Sequence, residues 1–182
     1  MALFDALLPA FSILGRYCEH RPHDASGLHL LGLICESLGQ LEWGAAFIAR
    51  AIAILESVYE DGEDPEVERR FIIANTNLAR LRLSLGDYQG SVDSFGSVLG
   101  LVEEASGRTS EVLRIQAHFG MGIANFMQGK LHAAMSLFEA ALESSKDDAA
   151  ATGQISILHA QTMWAIQADQ FKETAKAQLL QW

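Results

Sequence analysis

The chain has 182 residues, 49% of them hydrophobic, and a formal net charge of −10 from 23 acidic and 13 basic residues. This hydrophobic content excludes a chain that is disordered throughout, because it supplies enough apolar surface for a core. The acidic balance without any basic run argues against direct binding to nucleic acid, and no apolar stretch approaches the ~20 residues that cross a bilayer.

The first three predicted helices cover residues 2–18, 25–38 and 41–60. The apolar stretch at the start contains Asp5 and lacks the basic n-region of a signal peptide. We therefore interpret it as a buried helix rather than a signal peptide. Gly39 separates the second helix from the third. Glycine readily adopts the left-handed conformation that often ends a helix, which predicts a tight helical hairpin here.

The next four helices are predicted at 65–85, 88–104, 111–128 and 131–145. Asp64 is expected to be the N-cap and Pro65 the first residue of the helix that starts there. Ser110 is expected to be the N-cap of the helix that follows. Gly86 and Gly129 are predicted to turn the chain as Gly39 does.

The last two helices are predicted at 149–168 and 171–181, with a turn at Asp169-Gln170-Phe171. They would form a degenerate fourth hairpin after units near 25–60, 65–104 and 111–145. We therefore predict one all-α repeat array over 1–182, preceded by the single helix 2–18. Because that helix has no clear partner before it, the chain is expected to be a fragment of a longer repeat protein.

Three internal repeats support this organisation. The turn glycines are 47 and 43 residues apart, with a small residue seven places before each and a large apolar residue nine places after: Gly32, Gly39 and Ile48; Ala79, Gly86 and Phe95; Gly122, Gly129 and Phe138. Small residues at fixed helical positions let a neighbouring helix approach closely. The large apolar residues are expected to be buried between hairpins.

These residues resemble the tetratricopeptide repeat, W-x2-L-G-x2-Y followed by A-x3-F and A. The third unit matches best, through Gly122, Ala134, Phe138 and Ala141. The leading Trp and closing Pro are absent, and the period exceeds the family's usual length of about 34 residues. The resemblance implies a right-handed α-solenoid of antiparallel hairpins with longer than standard helices.

The sequence indicates no catalytic, cofactor-binding or metal site, and no enzyme activity. Cys18, His20 and His23 have a spacing that fits no standard zinc pattern. Cys18 and Cys35 are expected to be buried, reduced thiols. The three tryptophans, Trp43, Trp164 and Trp182, are expected to pack in the core or between hairpins.

The family resemblance implies a concave groove that binds other proteins and is lined by the first helix of each hairpin. Transferred by position, the groove residues are His29, Leu33, Thr76, Arg80, Leu83, Phe119, Ile123, Phe126, Met127, His159 and Met163. The apolar set on the third unit has two interpretations. Either it is an exposed binding site, or the longer helices bury it within the array.

One class of groove is not expected. Chaperone-binding members of the family hold a C-terminal carboxylate with Lys, Asn and Arg. Here His29 stands where that clamp has Lys, and Leu33 and Arg80 stand where it has Asn.

A narrower resemblance is to the family of large tetratricopeptide scaffolds in superkiller complexes. Two segments are similar to them, "LHLLGLICESLGQLEWGAAFIARAI" (28–52) and "ANTNLARLRLSLGDYQGSVDSFGSVLGLV" (74–102). The resemblance implies a non-catalytic scaffold in exosome-linked RNA decay, cytoplasmic or also nuclear, with helicase and WD-repeat subunits as partners.

Two other functions stay open. The chain could be a regulatory tetratricopeptide domain whose groove binds a peptide or helix of another partner, or a helical accessory or hydrolase domain of an enzyme. Its oligomeric state is not predicted.

Overall fold

The structure, a computed structural model, describes residues 2–59, 64–102, 108–146 and 149–179. These ranges contain eight α-helices and no strand: α1 (Ala2–His20), α2 (Ala25–Ser37), α3 (Leu41–Tyr59), α4 (Pro65–Ser84), α5 (Tyr88–Val102), α6 (Arg108–Met127), α7 (Leu131–Ser144) and α8 (Ala149–Leu179). The predicted all-α class of antiparallel, tetratricopeptide-like hairpins is confirmed. The ends predicted at residues 60 and 104 lie outside the described residues.

The three glycine turns are confirmed. Gly39, Gly86 and Gly129 have φ angles of 75°, 79° and 73°. In the first turn, Gln40 N–H donates to Cys35 O at 2.8 Å and Gly39 N–H donates to Glu36 O at 2.9 Å. This pair of bonds is the Schellman arrangement, which satisfies the last carbonyls of the helix.

One of the two predicted helix starts is confirmed. Asp64 caps α4, because its carboxylate accepts a hydrogen bond from Glu66 N–H at 2.9 Å, and Pro65 is the first helical residue. The prediction that Ser110 caps α6 is wrong, because α6 begins at Arg108 and Ser110 lies within its first turn. The capping preference of serine is outweighed by the extra backbone hydrogen bonds of a longer helix.

The predicted turn at Asp169-Gln170-Phe171 is also wrong. α8 runs without a break from Ala149 to Leu179. Residues 169–171 include no glycine, so nothing there favours the left-handed residue that ends α2, α4 and α6. The fourth predicted unit is therefore one long helix over its described residues.

The small residues of the repeat allow close helix approach, as expected. A Cβ atom at Gly32 would lie 2.5 Å from Ile48 Cγ1, and one at Gly122 would lie 2.5 Å from Phe138 Cε1. Ile48 and Phe138 are completely buried and Phe95 nearly so. The first and third hairpins thus pack an apolar side chain of the second helix, Ile48 or Phe138, into the gap over the small residue.

The helices form two compact units, Met1–Leu101 and Val102–Trp182. In the first, α2 packs against α1 and α3, and α3 packs against α4. Its main core contains Ile48, Leu55, Ala74, Leu78 and Leu81. In the second, α7 packs against α6 and α8 around a core of Ala134, Phe138, Ala141 and Ile155. That all these helices belong to a single array stays a prediction.

Candidate interaction groove

In the first unit, the predicted groove residues lie on α2 and α4, where polar side chains bridge the two helices. Arg80 binds Glu36 through two N···O contacts of 2.9 Å each. This two-pronged geometry orients both side chains. His29 Nε2 lies 2.9 Å from Asn77 Nδ2. The bridges align α2 with α4 and leave a groove beside them.

Near the N-terminal ends of α2 and α4, the groove opens into a pocket of about 340 Å³. Its apolar side chains come from α2 and α3, and its charged side chains come from α4. The lining residues are Ala25, Ser26, His29, Leu30, Leu33, Leu55, Glu66, Arg69 and Arg70. The pocket thus combines an apolar wall with polar and charged groups that could orient a ligand.

The charged edge of the pocket is organised around Glu66. Its carboxylate accepts hydrogen bonds from Arg69 Nε at 2.8 Å and from Arg70 Nε at 2.9 Å. These contacts lower the pKa of Glu66 to about 2, so it stays ionised. Arg70 also donates to Ser26 Oγ at 3.2 Å, which links α4 to α2. Because these side chains are largely exposed, they contribute little to stability and can exchange partners with a ligand.

His29 is a second titratable group that lines the pocket. Burial lowers the pKa of its imidazole, which favours the neutral form. A neutral Nε2 can accept a hydrogen bond from the Asn77 amide, consistent with their 2.9 Å contact. The groove therefore presents an uncharged histidine at neutral pH.

The other predicted groove residues of the first unit have different surroundings. Leu33 is half-buried and packs against the core of α3 and α4. The Thr76 hydroxyl donates to Ile72 O in its own helix at 2.9 Å. Arg80 is exposed and Leu83 is half-buried. Leu33 therefore lines the pocket, and Arg80 lies at the surface. That these residues bind a partner stays a prediction.

In the compact unit Val102–Trp182, the apolar set of α6, which belongs to the third repeat, is divided between core and surface. Phe119, Ile123 and Phe126 are partly buried against the core of α7 and α8. The ring of Phe119 lies 6.0 Å from that of Phe138 in a tilted pair. Met127 is exposed. A binding role for this set stays a prediction, and Met127 is its most accessible member.

The two groove residues on α8 lie near its middle. Met163 is exposed, and His159 is half-buried with Nε2 3.7 Å from Glu139 Oε1. Their role in binding also stays a prediction.

Sequence reasoning missed one feature of the pocket and was wrong about the tryptophans. The pocket edge of Glu66, Arg69 and Arg70 was detectable from its i, i+3 and i, i+4 spacing, which favours ion pairs on a helix. The tryptophan prediction is wrong for Trp43 and Trp164, which are exposed, and Trp182 lies outside the described residues. Trp164 lies on the side of α8 that faces away from the core.

Among the residues that the structure describes, no group of three or more His, Cys, Asp or Glu could hold a metal ion. Cys18 and Cys35 are buried free thiols, as expected, and burial raises the pKa of each. None of the helices in the described part of the chain combines the length and apolar character needed to span a bilayer.

Curated relatives resemble the chain in sequence. Superkiller protein 3 of Schizosaccharomyces pombe is 27% identical over 166 residues, which are 91% of this chain and 12% of the relative. Superkiller protein 3 of Saccharomyces cerevisiae is 24% identical over 178 residues, or 98% of this chain and 12% of the relative. The chain thus spans about an eighth of the length of these relatives. No protein-family model matches it.

Solved structures resemble the chain in fold. The MamA RS-1 ArsTM double mutant superposes with a TM-score of 0.57 at 13% identity, covering 96% of this chain and 89% of that one. MamA 41-end from Desulfovibrio magneticus RS-1 has a TM-score of 0.56 at 13% identity, covering 93% and 86%. The predicted resemblance is confirmed: the chain is similar in fold to tetratricopeptide proteins and in sequence to Superkiller protein 3.

Proposed function

We propose that this chain is a non-catalytic, protein-binding scaffold segment, and that its binding site is the groove between α2 and α4. One observation carries the proposal: a pocket lined by both apolar and charged side chains lies mainly on α2 and α4, the helices that the tetratricopeptide resemblance assigns to the concave face. The bridges of Arg80 to Glu36 and His29 to Asn77 hold the two helices in register before a ligand arrives. Such preorganisation lowers the entropic cost of binding.

The chemistry of the pocket suggests the kind of segment that it takes. Leu30, Leu33 and Leu55 offer an apolar surface for one aliphatic or aromatic side chain. Arg69 and Arg70 can transfer one of their contacts from Glu66 to a carboxylate of the partner. The preferred ligand is therefore an extended or helical segment with an apolar residue next to an acidic one.

The similarity to Superkiller protein 3 supports a place in a superkiller-type complex. In this proposal the chain acts in the cytoplasm in exosome-linked RNA decay and contacts helicase and WD-repeat subunits. The acidic charge of −10 supports contact with proteins rather than with RNA.

Site-specific photocrosslinking in cell extract tests the groove. A photoreactive amino acid replaces Leu30, a pocket residue that is 51% exposed, or Val58, which is 49% exposed on α3 and does not line the pocket. We expect position 30, and not position 58, to crosslink to a helicase or WD-repeat subunit. Leu30→Glu should weaken that association at least about tenfold while Val58→Glu leaves it unchanged.

The outcomes separate the competing functions. Crosslinking from position 30 to an unrelated protein would favour a regulatory domain with another partner. The helicase and WD-repeat subunits could instead be recovered with the chain while position 30 gives no crosslink. That result would support the scaffold function but place the interface outside this groove. If neither variant affects any association, the groove is not a binding site.

A further inference from the structure

The outer side of α8 carries a row of three large apolar side chains that nothing in the described structure covers. Ile157, Trp164 and Phe171 are 61%, 73% and 76% exposed. They are seven residues apart, so they lie on one side of the helix along about 21 Å. We call these three residues the α8 stripe. The buried residues of α8, Ile155, Thr162 and Ile166, lie on the other side.

The α8 stripe is symmetric about Trp164. Ile157 and Phe171 are seven places to either side of that residue. Two copies of α8 that pack antiparallel across a two-fold axis at Trp164 would place Ile157 of each beside Phe171 of the other. A two-fold interface requires this kind of self-complementary surface.

Two pairs of residues beside the α8 stripe have the same symmetry. In the antiparallel arrangement, Ala160 is level with Ala168 of the second copy, and Gln161 is level with Gln167 of the second copy. Two alanines allow the helices to approach closely, and two glutamine amides can hydrogen-bond to each other. Neither pair places two bulky aromatic or aliphatic side chains, or two like charges, opposite each other.

Charge also favours a second copy at this face. The protein as a whole carries −10, so two copies repel each other over most of their surface. α8 has two acidic residues, Asp169 and Glu173, and two basic ones, Lys172 and Lys176, so its formal charge is zero. Residues 149–168 contain no Asp, Glu, Lys or Arg. This helix is therefore a surface on which two acidic copies can meet.

We propose that the chain forms a two-fold symmetric dimer through antiparallel packing of α8 on α8 of a second copy, centred on Trp164. Aromatic side chains in such positions carry much of the binding energy of an interface. Three large side chains from each copy make a small interface, below the standard size of about 1,600 Å². The dimer is therefore weak, and its population depends on protein concentration in the micromolar range.

Sedimentation velocity of the whole chain, from low to high micromolar concentration, tests the dimer. We expect a monomer–dimer equilibrium. Trp164→Glu should raise the dissociation constant at least about a hundredfold, because the residue enters the interface from both copies. Trp43→Glu, at a tryptophan that is 63% exposed on α3, is the matched control and should not change it. Circular dichroism checks folding, and Phe171→Glu replaces Trp164→Glu if that variant loses helix.

Disulfide crosslinking tests the register. A mixture of Ile157→Cys chains and Phe171→Cys chains should crosslink to each other under mild oxidation, whereas each variant alone should not. A disulfide requires Cα atoms within about 7 Å, so only neighbouring positions react. Wild-type chains, which contain Cys18 and Cys35, control for background crosslinking.

Three results would overturn the proposal: a monomer at every concentration, a dimer that Trp43→Glu disrupts and Trp164→Glu does not, or crosslinking of position 157 with itself. A chain that stays monomeric but binds a helix of another protein at Trp164 would also overturn it and would assign the α8 stripe to that partner.

Discussion

Single residues decide where the helices end. Gly129 has a φ of 73°, and a Cβ atom there would contact nothing within 4 Å. Any cost of substitution therefore comes from the backbone conformation and not from crowding. Gly122 is the opposite case, because it is helical and a Cβ atom there would overlap Phe138.

We expect Gly129→Val to lower the free energy of unfolding by about 1–2 kcal/mol, since a left-handed conformation is unfavourable for a residue with a Cβ atom. Urea unfolding measures the change. Gly153→Ala is the control, because Gly153 lies within α8 with open space around it and alanine should stabilise the helix by about 0.5–1 kcal/mol. Equal stability of Gly129→Val and wild type would contradict the role of this turn.

Two histidines make stability depend on pH. Burial lowers the pKa of His29, and burial with help from Arg114 lowers the pKa of His118, both from an ordinary value of 6.5. The unfolded chain therefore takes up these protons at a higher pH than the folded protein does. The stability that the neutral side chains contribute is fully present above that ordinary value and is lost as the pH falls through their folded pKa values.

The urea midpoint should accordingly fall as the pH is lowered from about 7.5 to about 5.5, the range in which histidine titrates. In the His29→Gln, His118→Gln double variant the fall should be smaller, because glutamine does not titrate. An identical pH dependence in the two proteins would show that other groups cause it.

At the scale of elements, the cap of α2 connects that helix to α1. The Asp24 carboxylate accepts hydrogen bonds from Ser26 N–H at 3.0 Å, Gly27 N–H at 3.2 Å and the Tyr17 hydroxyl at 2.7 Å. The bond from Tyr17, followed by the backbone bonds, lowers the pKa of Asp24. One side chain thus starts α2 and contacts α1.

Asp24→Ala should lower the free energy of unfolding by about 1–2 kcal/mol, the usual effect of removing an N-cap. Tyr17→Phe keeps the cap and removes only the contact to α1, so we expect it to be less destabilising. Chemical denaturation of both variants measures the difference. If Tyr17→Phe is as destabilising as Asp24→Ala, the link to α1 outweighs the cap.

At the scale of the whole molecule, packing between neighbouring helices distributes the stability along the chain. Phe138 is fully buried in the core of the second unit. In repeat arrays each element contacts only its neighbours, so the effect of a lost contact is greatest nearby.

Phe138→Ala should cost about 3–5 kcal/mol, because it leaves a cavity in a packed core. Hydrogen exchange should show the largest loss of protection in α6, α7 and α8, and a smaller loss in α2 and α3. Val112→Ala, at an exposed position of α6, serves as control and should change stability by less than about 0.5 kcal/mol. Loss of protection first in α2 and α3 would contradict this distribution.

Local chemistry made much of the fold predictable from the sequence. The turns at Gly39, Gly86 and Gly129 require only a residue that tolerates positive φ. The start of α4 needs only Asp64 and Pro65 side by side. The buried positions of Ile48, Phe95 and Phe138 follow from their fixed distance to those turns. Each of these signals depends on residues that are close together in the chain, so it can be recognised from the sequence alone.

Only the tertiary structure decided the features that depend on which surfaces meet. The pocket beside α2 and α4 brings together Ser26 and Arg70, which are 44 residues apart in the chain. The unbroken course of α8 leaves Trp164 exposed where sequence reasoning expected burial. Phe119 and Phe126 are half-buried while the adjacent Met127 is exposed. Burial depends on the neighbouring helices that cover a side chain, and the spacing of residues along one helix does not specify those neighbours.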